Sequence, residues 1–349
     1  MSSDSRTGPQ PLAPRTDLER KLAEIWQRAL RQESIGVTDS FFDLGGSSIQ
    51  AYEIMGEIAR ELGVELSATN FLEAPTIEEQ AAVISDPPGE PAGILVAFRE
   101  EGEKPPWFCV HGRGGGVMFL RDLAPHLDPD RAIYGIQPFG QNGELPPVRP
   151  VEEMAALYLD EVQTLQPSGP YYLGGSCFGG LVAREMGRIL EERGEEVALL
   201  LLIDPPTNLP KEPLLLRPLL RMKRSLAFRV RKRLSRKTRK QNPGHVRGRL
   251  EEIGEEKFLH YQRIHREAQN RYFPKPSRVP LSVLAPPQSR KAQRKMWGPV
   301  SPGGLEILQF SGLHSQMYLP PGARQIGGLI TKRLAQVDAQ RGQRKSSST

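Results

Sequence analysis

The residues best placed to do chemistry lie in YYLGGSCFGGLVARE, residues 171–185, where a short apolar strand runs into a turn of small residues and then a helix. A nucleophile at the tip of such a turn sits in a strained backbone conformation, so the residues two before and two after it must be very small. Gly175 and Gly179 hold those positions around Cys177. Centring the turn on Ser176 would put Phe178 at the second position after it and crowd the turn. Cys177 is therefore the expected nucleophile and Ser176 its neighbour. The start of the following helix concentrates positive potential, which favours a thiolate over a thiol.

Such a nucleophile needs an acid and then a histidine, each in a loop that follows a strand. VALLLLID, residues 197–204, has the length and continuous apolarity of a strand buried on both faces, and it ends on Asp204. LEILQF, residues 305–310, predicts a later strand, and SGLHSQM then places His314 in a loop. Asp204 and His314 are the expected acid and base. His111 lies upstream of the nucleophile, while His126, His245, His260 and His265 fall in polar or helical segments. In PWFCVHGRGGG, residues 106–116, a strand enters a glycine-dense loop whose amides can approach a developing negative charge. The amide of Phe178 and one near Arg113 are the expected oxyanion donors. Cys109 falls inside the apolar strand and reads as core.

Residues 94–337 resemble the α/β-hydrolase thioesterase domains that end nonribosomal peptide and polyketide assembly lines. FCVHGRGGG, LGGSCFGGLVA, LLIDPP and SGLHSQM match that family's landmarks in order. Two departures stand out. Cys177 replaces the commoner serine, and the run His111, Gly112, Arg113 lacks the proline that often follows the histidine. The resemblance implies a mostly parallel sheet with a helical lid inserted at about 206–278.

The elements ahead of this region carry signals of their own. Thr16 and Glu19 form a capping box, after which Leu18, Leu22, Ile25, Trp26 and Leu30 fall on one helical face. VTDSFFDLGGSSIQAYEIM, residues 37–55, sets an Asp-Leu-Gly-Gly turn before a serine that opens a second amphipathic helix, and Thr76 with Glu79 caps a last one. Residues 16–85 resemble an acyl or peptidyl carrier domain, a small all-α four-helix bundle. By that resemblance Ser48 carries a covalent 4'-phosphopantetheine arm, with its phosphate at a helix N-terminus, where anions are favoured. A phosphopantetheinyl transferase and an upstream synthetase or acyl-loading enzyme are then implied as partners.

A chain of 349 residues has room for both units. SDPPGEPAG marks the joint, giving a linker at 86–93. Residues 1–15 read as a disordered N-terminus without the apolar core of a secretory leader, and 338–349 as a disordered tail. Only two cysteines are present, which fits a reducing compartment, so a cytoplasmic location is expected. No apolar run is long enough to span a bilayer. No metal site and no membrane partner are expected.

The net charge of +6 is unevenly spread. Residues 211–250 hold fifteen lysines and arginines against Glu212 alone, whereas residues 17–85 hold thirteen acidic residues against five basic ones. The basic stretch is interleaved with leucines and falls where the lid is expected. Its cations either guide the acidic carrier or form a solvated helical face. It lacks the ordered aromatics of a base-stacking platform, which argues against nucleic acid.

The expected reaction starts from an acyl, aminoacyl or peptidyl thioester carried on Ser48. Cys177, activated by His314 and Asp204, takes the acyl group. Release follows by hydrolysis, or by cyclisation or aminolysis, because an acyl group on cysteine is still a thioester and stays activated. Two other readings are open: a thioesterase that edits carriers in trans, and a catalytically silent docking module attached to a working carrier.

Overall fold

A computed structural model describes residues 12–86, 93–139, 146–210, 252–314 and 317–346. The expected capping box opens helix α1 (Asp17–Leu30), with Thr16 and Glu19 each bonded to the other's backbone. Leu22, Ile25 and Trp26 are fully buried, and Leu18 and Leu30 pack at the margin of the same core. Helix α2 (Ser48–Leu62) starts with a second capping box, formed by Ser47 and Gln50. The short α3 (Ala68–Glu73) and α4 (Ile77–Ser85) complete a four-helix bundle, α4 through the Thr76 and Glu79 box. Trp26 and Phe71 each meet Phe41 edge-on with ring centres 5.2 Å apart, and the Trp26 indole donates to Gln80 at 3.1 Å.

Residues 12–15 depart from the disorder expected of the first fifteen. The Leu12 carbonyl accepts from the Val37 amide at 2.8 Å, and Arg15 pairs with Glu19 and Glu78. An acidic bundle captures the basic residue just before it.

Seven strands follow: β1 (Leu95–Arg99), β2 (Lys104–Val110), β3 (Arg131–Ile136), β4 (Tyr171–Ser176), β5 (Val197–Ile203), β6 (Leu281–Ala285) and β7 (Leu305–Gln309). They form one sheet in the order β1-β3-β2-β4-β5-β6-β7. Strand β1 runs antiparallel to β3, and every other pairing is parallel. Helices α6 (Val151–Leu165) and α7 (Gly179–Glu192) cover one face of the sheet, and α5 (Phe119–Leu123) with α10 (Gly322–Ser346) covers the other. With both faces covered, β4 is buried at every position and β5 at five of its seven, which is why these strands read as unbroken apolar runs. Helix α8 (Glu252–Arg271) lies between β5 and β6 in the chain, and α9 (Arg290–Trp297) between β6 and β7.

Helix α10 continues to Ser346, through the segment from 338 that reads as a disordered tail. Arg131, 1% exposed, needs a counter-charge, and the partly exposed Asp338 supplies it at 2.7 Å while also accepting from the Tyr172 hydroxyl at 2.6 Å. Arg341 adds a pair with Glu196 at 2.7 Å. The basic stretch 211–250 and most of the 86–93 linker lie outside the described residues, so the expected lid is described only at 206–210 and 252–278. No helix among the described residues is long and apolar enough to cross a membrane, and no cluster there could hold a metal ion.

Candidate active site

The candidate catalytic residues gather at the C-terminal ends of the parallel strands, where open α/β sheets bind ligands. Strand β4 ends at Ser176, α7 begins at Gly179, and Cys177 sits between them with a φ of 50°. That left-handed conformation is costly for a residue with a side chain and persists only where its surroundings enforce it. Here the Cys177 amide donates to the Ile203 carbonyl at 2.8 Å, and the Gly180 amide donates to the Cys177 carbonyl at 3.1 Å. A Cβ on Gly175 would lie 2.3 Å from the Gly179 carbonyl oxygen, and one on Gly179 would lie 2.2 Å from that of His111. The first glycine lets the turn close. The second lets α7 seat against the end of β2. Ser176 points elsewhere: it is 2% exposed and accepts from the Tyr318 hydroxyl at 2.6 Å.

Asp204 follows β5 directly, also at positive φ (42°), with its amide donating to Leu284 at 2.7 Å. His314, in the loop after β7, donates from Nδ1 to Asp204 Oδ2 at 2.8 Å. The carboxylate side chain is 14% exposed and the imidazole 49%, so the acid is sheltered and the base faces the solvent side of the cleft. Gln293 of α9 donates to Pro205 O at 2.9 Å and reaches Asp204 Oδ1 at 3.4 Å, and Trp297 Nε1 holds the Gln293 oxygen at 2.8 Å. Sequence reasoning did not find these two; a glutamine and a tryptophan four apart on a short helix carry no distinguishing signal.

The Cys177 thiol and the His314 imidazole lie close enough to shift each other's titration. Burial alone would raise its pKa. The His314 hydrogen bond and charge, the Arg113 charge and the Phe178 amide together outweigh burial and hold the thiol below its ordinary value. The hydrogen bond that His314 donates to Asp204, followed by that to Cys177, raises His314 to about 10. The pair is biased toward thiolate and imidazolium. Cys109, by contrast, is wholly buried, and its thiol is pushed far up.

Between β2 and α5 the chain forms a tight loop over 111–118. The Gly115 amide donates to Gly112 O at 3.0 Å, and the Gly112 amide donates to Gly116 O at 3.2 Å. Arg113 sends its guanidinium to Gln269 at 2.7 Å, which in turn donates to Asn208 at 2.9 Å. No described backbone carbonyl accepts from the Arg113 amide. His265, on α8, bonds the Arg113 carbonyl through Nδ1 at 2.7 Å, a contact the sequence reading missed because it placed that histidine in an unremarked helix.

The helical bundle meets the sheet domain at this same loop. The Tyr52 hydroxyl of α2 accepts from the Val117 and Met118 amides at 3.0 and 3.2 Å, Met118 joins the bundle's core, and the Arg121 guanidinium lies 3.3 Å over the Phe42 ring. Ser48 is the first residue of α2, one turn ahead of Tyr52. The first turn of α2 has no acidic residue, whereas those of α1 and α4 each carry two. A phosphate-bearing group on Ser48 thus fits the positive end of a long helix.

Comparison with known proteins gives the class first. Residues 20–84 match the family described as "Phosphopantetheine attachment site", and residues 105–242 match the "Thioesterase domain" family. The chain therefore joins a phosphopantetheine attachment domain to an α/β thioesterase domain. Among particular relatives, it is 40% identical over 198 residues to a dimodular nonribosomal peptide synthase of Bacillus subtilis (strain 168), covering 56% of this chain and 8% of that protein. It is 38% identical over 195 residues to indigoidine synthase of Streptomyces lavendulae, covering 56% of this chain and 15% of that protein. The chain thus spans a small fraction of the curated relatives it matches. Among solved structures, the four-domain nonribosomal peptide synthetase holo-AB3403 aligns over 95% of this chain and 27% of its own, with a TM-score of 0.58 and 25% identity. The NocB thioesterase domain aligns over 69% of this chain and 99% of its own, with a TM-score of 0.53 and 24% identity.

Proposed function

We propose that this chain takes an acyl or peptidyl thioester from its own carrier domain onto Cys177 and releases the acyl group by hydrolysis, or by cyclisation or aminolysis, as part of a nonribosomal peptide or polyketide synthetase. The observation that carries this reading is the strained Cys177 at the β4–α7 turn, within reach of a His314 already bonded to Asp204 at 2.8 Å. The phosphopantetheine arm, held on Ser48, supplies a flexible thiol to which the acyl group is linked. Cys177 attacks the acyl carbonyl, and His314, oriented by Asp204, holds the proton and gives it to the departing sulfur. The amides of Phe178 and Arg113 face the oxyanion. The acyl group on Cys177 is again a thioester, so it stays reactive toward water, an amine or a hydroxyl of its own chain. His314 then removes a proton from whichever nucleophile enters. The carrier and its loading imply a phosphopantetheinyl transferase and an upstream synthetase as partners.

Loading the full chain at Ser48 with a synthetic acyl group and trapping intermediates by mass spectrometry tests the assignment. Wild type and Ser176→Ala should both show the acyl group on Cys177, and Cys177→Ala should show it only on the arm. An adduct that vanishes with Ser176→Ala and survives in Cys177→Ala would transfer the role to the serine. The released product identifies the incoming nucleophile.

A further inference from the structure

Two buried histidines outside the proposed triad, His111 at the start of the loop over 111–118 and His265 packed against it from α8, each bond a different backbone carbonyl of that loop. His111 reaches Gly112 O from Nδ1 at 2.7 Å, and His265 reaches Arg113 O from Nδ1 at 2.7 Å. A backbone carbonyl only accepts, so both rings carry their proton on Nδ1. The His111 Nε2 is then free to accept from the Tyr158 hydroxyl at 2.8 Å. Exposure is 0% for His111 and 1% for His265, and burial holds both imidazoles below their ordinary range, His265 at about 4. Both are neutral at physiological pH and keep the tautomer these bonds need.

The two rings also stack, with centres 4.8 Å apart, and His265 lies 4.5 Å from the Phe178 ring at an interplanar angle of 13°, the three rings forming one cluster in which His111 and Phe178 are 6.2 Å apart. A single side chain of α8 therefore touches Arg113 through a hydrogen bond and Phe178 through its ring face. These are the two residues read above as oxyanion donors. A trans peptide points its N–H opposite to its C=O. Holding Gly112 O toward His111 therefore aims the Arg113 N–H the other way, and holding Arg113 O toward His265 fixes the next peptide plane and stops the first from rotating.

We propose that His265 is a positioning residue for the oxyanion site: from α8 it fixes the Arg113 peptide by a hydrogen bond and the Phe178 turn by stacking, so that both amides stay aimed at the acyl oxygen. The inference rests on the proposed acyl transfer to Cys177. It also gives α8 a function, since the loop then takes its catalytic shape only with that helix seated on it.

The test compares two reactions of Cys177 in the full chain. Acylation by a soluble acyl thioester builds up negative charge on oxygen and needs the donors. Alkylation by iodoacetamide displaces iodide at a saturated carbon and does not. His265→Phe keeps a flat ring and removes the donor, while His265→Asn restores an N–H near the position of Nδ1. For His265→Phe we expect acylation kcat to fall about 10- to 100-fold with KM little changed, because loss of one well-aimed donor costs two to three orders of magnitude and misdirection somewhat less. Alkylation should stay within about twofold of wild type, and His265→Asn should recover much of the lost kcat. Equal losses in both reactions, or wild-type acylation by His265→Phe, overturn the proposal. If His265→Phe does not fold, His265→Asn decides alone: near-wild-type acylation supports the positioning role, and a loss shared equally by alkylation refutes it. A wild-type enzyme that forms no acyl-Cys177 refutes the underlying acyl-transfer reading instead.

Discussion

At the scale of single residues, the chemistry turns on how Cys177 and His314 share a proton. Burial of the thiol opposes ionisation, and the neighbouring imidazole, the Arg113 guanidinium and the Phe178 amide overcome it. His314 in turn is held at about 10 by Asp204 and by Cys177. The thiolate forms above the lowered thiol pKa, and its imidazolium partner is lost only as pH rises through about 10. At pH 6 iodoacetamide should therefore alkylate Cys177 faster than an ordinary thiol of pKa about 8.5, which is almost wholly protonated there. His314→Ala leaves burial as the dominant influence, so the alkylation profile should move to higher pH and the rate at pH 6 should fall at least about tenfold. A profile that stays put in the variant would mean that His314 does not set the thiolate. The residues of this pair were legible in the chain because each answers to a local rule. Cys177 is bracketed by two glycines that the turn cannot replace, and Asp204 and His314 each follow an apolar strand.

At the scale of elements, what the sequence hides is which helix reaches back to the site. His265 and Arg113 are 152 residues apart, Gln293 and Asp204 are 89 apart, and Tyr52 and Val117 are 65 apart. Each contact depends on how a helix is laid on the sheet, and no local pattern encodes that. Helices α1 and α4 of the carrier were readable from their capping boxes, α2 from its Asp-Leu-Gly-Gly turn and amphipathic face, and strands β4 and β5 from their apolar runs, since those signals are internal to the element, whereas the short α3 was not located. Tyr52 belongs to the hidden kind, and its hydroxyl does specific work. The amides of Val117 and Met118 stand just ahead of α5, where Met118 offers no side-chain cap, and the tyrosine oxygen accepts from both. Tyr52→Phe keeps the ring and removes the acceptor. Release of an acyl group loaded on Ser48 should slow about 3- to 10-fold, the cost of about one hydrogen bond, while turnover of a soluble thioester falls less than twofold. Losses of equal size for both substrates would place Tyr52 in the folding of the loop and remove it from docking.

At the scale of the whole molecule, the docked bundle and the uneven charge act over different distances. The described contact between the two domains includes the packing of α2 on α8, a tyrosine hydroxyl, a buried methionine and an arginine over an aromatic ring, which are short-range interactions that salt screens little. The fifteen basic residues of 211–250 and the acidic bundle carry long-range attraction, whose reach shrinks from more than 10 Å to about 3 Å as ionic strength approaches 1 M. Salt should therefore matter to encounter and hardly at all to a carrier already in place. Two full-length variants separate these stages. Cys177→Ala loaded at Ser48 is a donor without its own nucleophile, and Ser48→Ala is an acceptor without its own arm. Transfer between them begins with diffusional encounter, so its second-order rate should fall about tenfold between 50 mM and 500 mM salt, while release within a single loaded wild-type chain changes little. Placing Arg231→Glu, Lys232→Glu and Arg233→Glu together in the acceptor should lower the trans rate at low salt and flatten its salt dependence. A trans rate that the three reversals leave unchanged at 50 mM would show that the basic stretch does not steer the carrier, and would leave the short-range docking contact as the whole of the recognition.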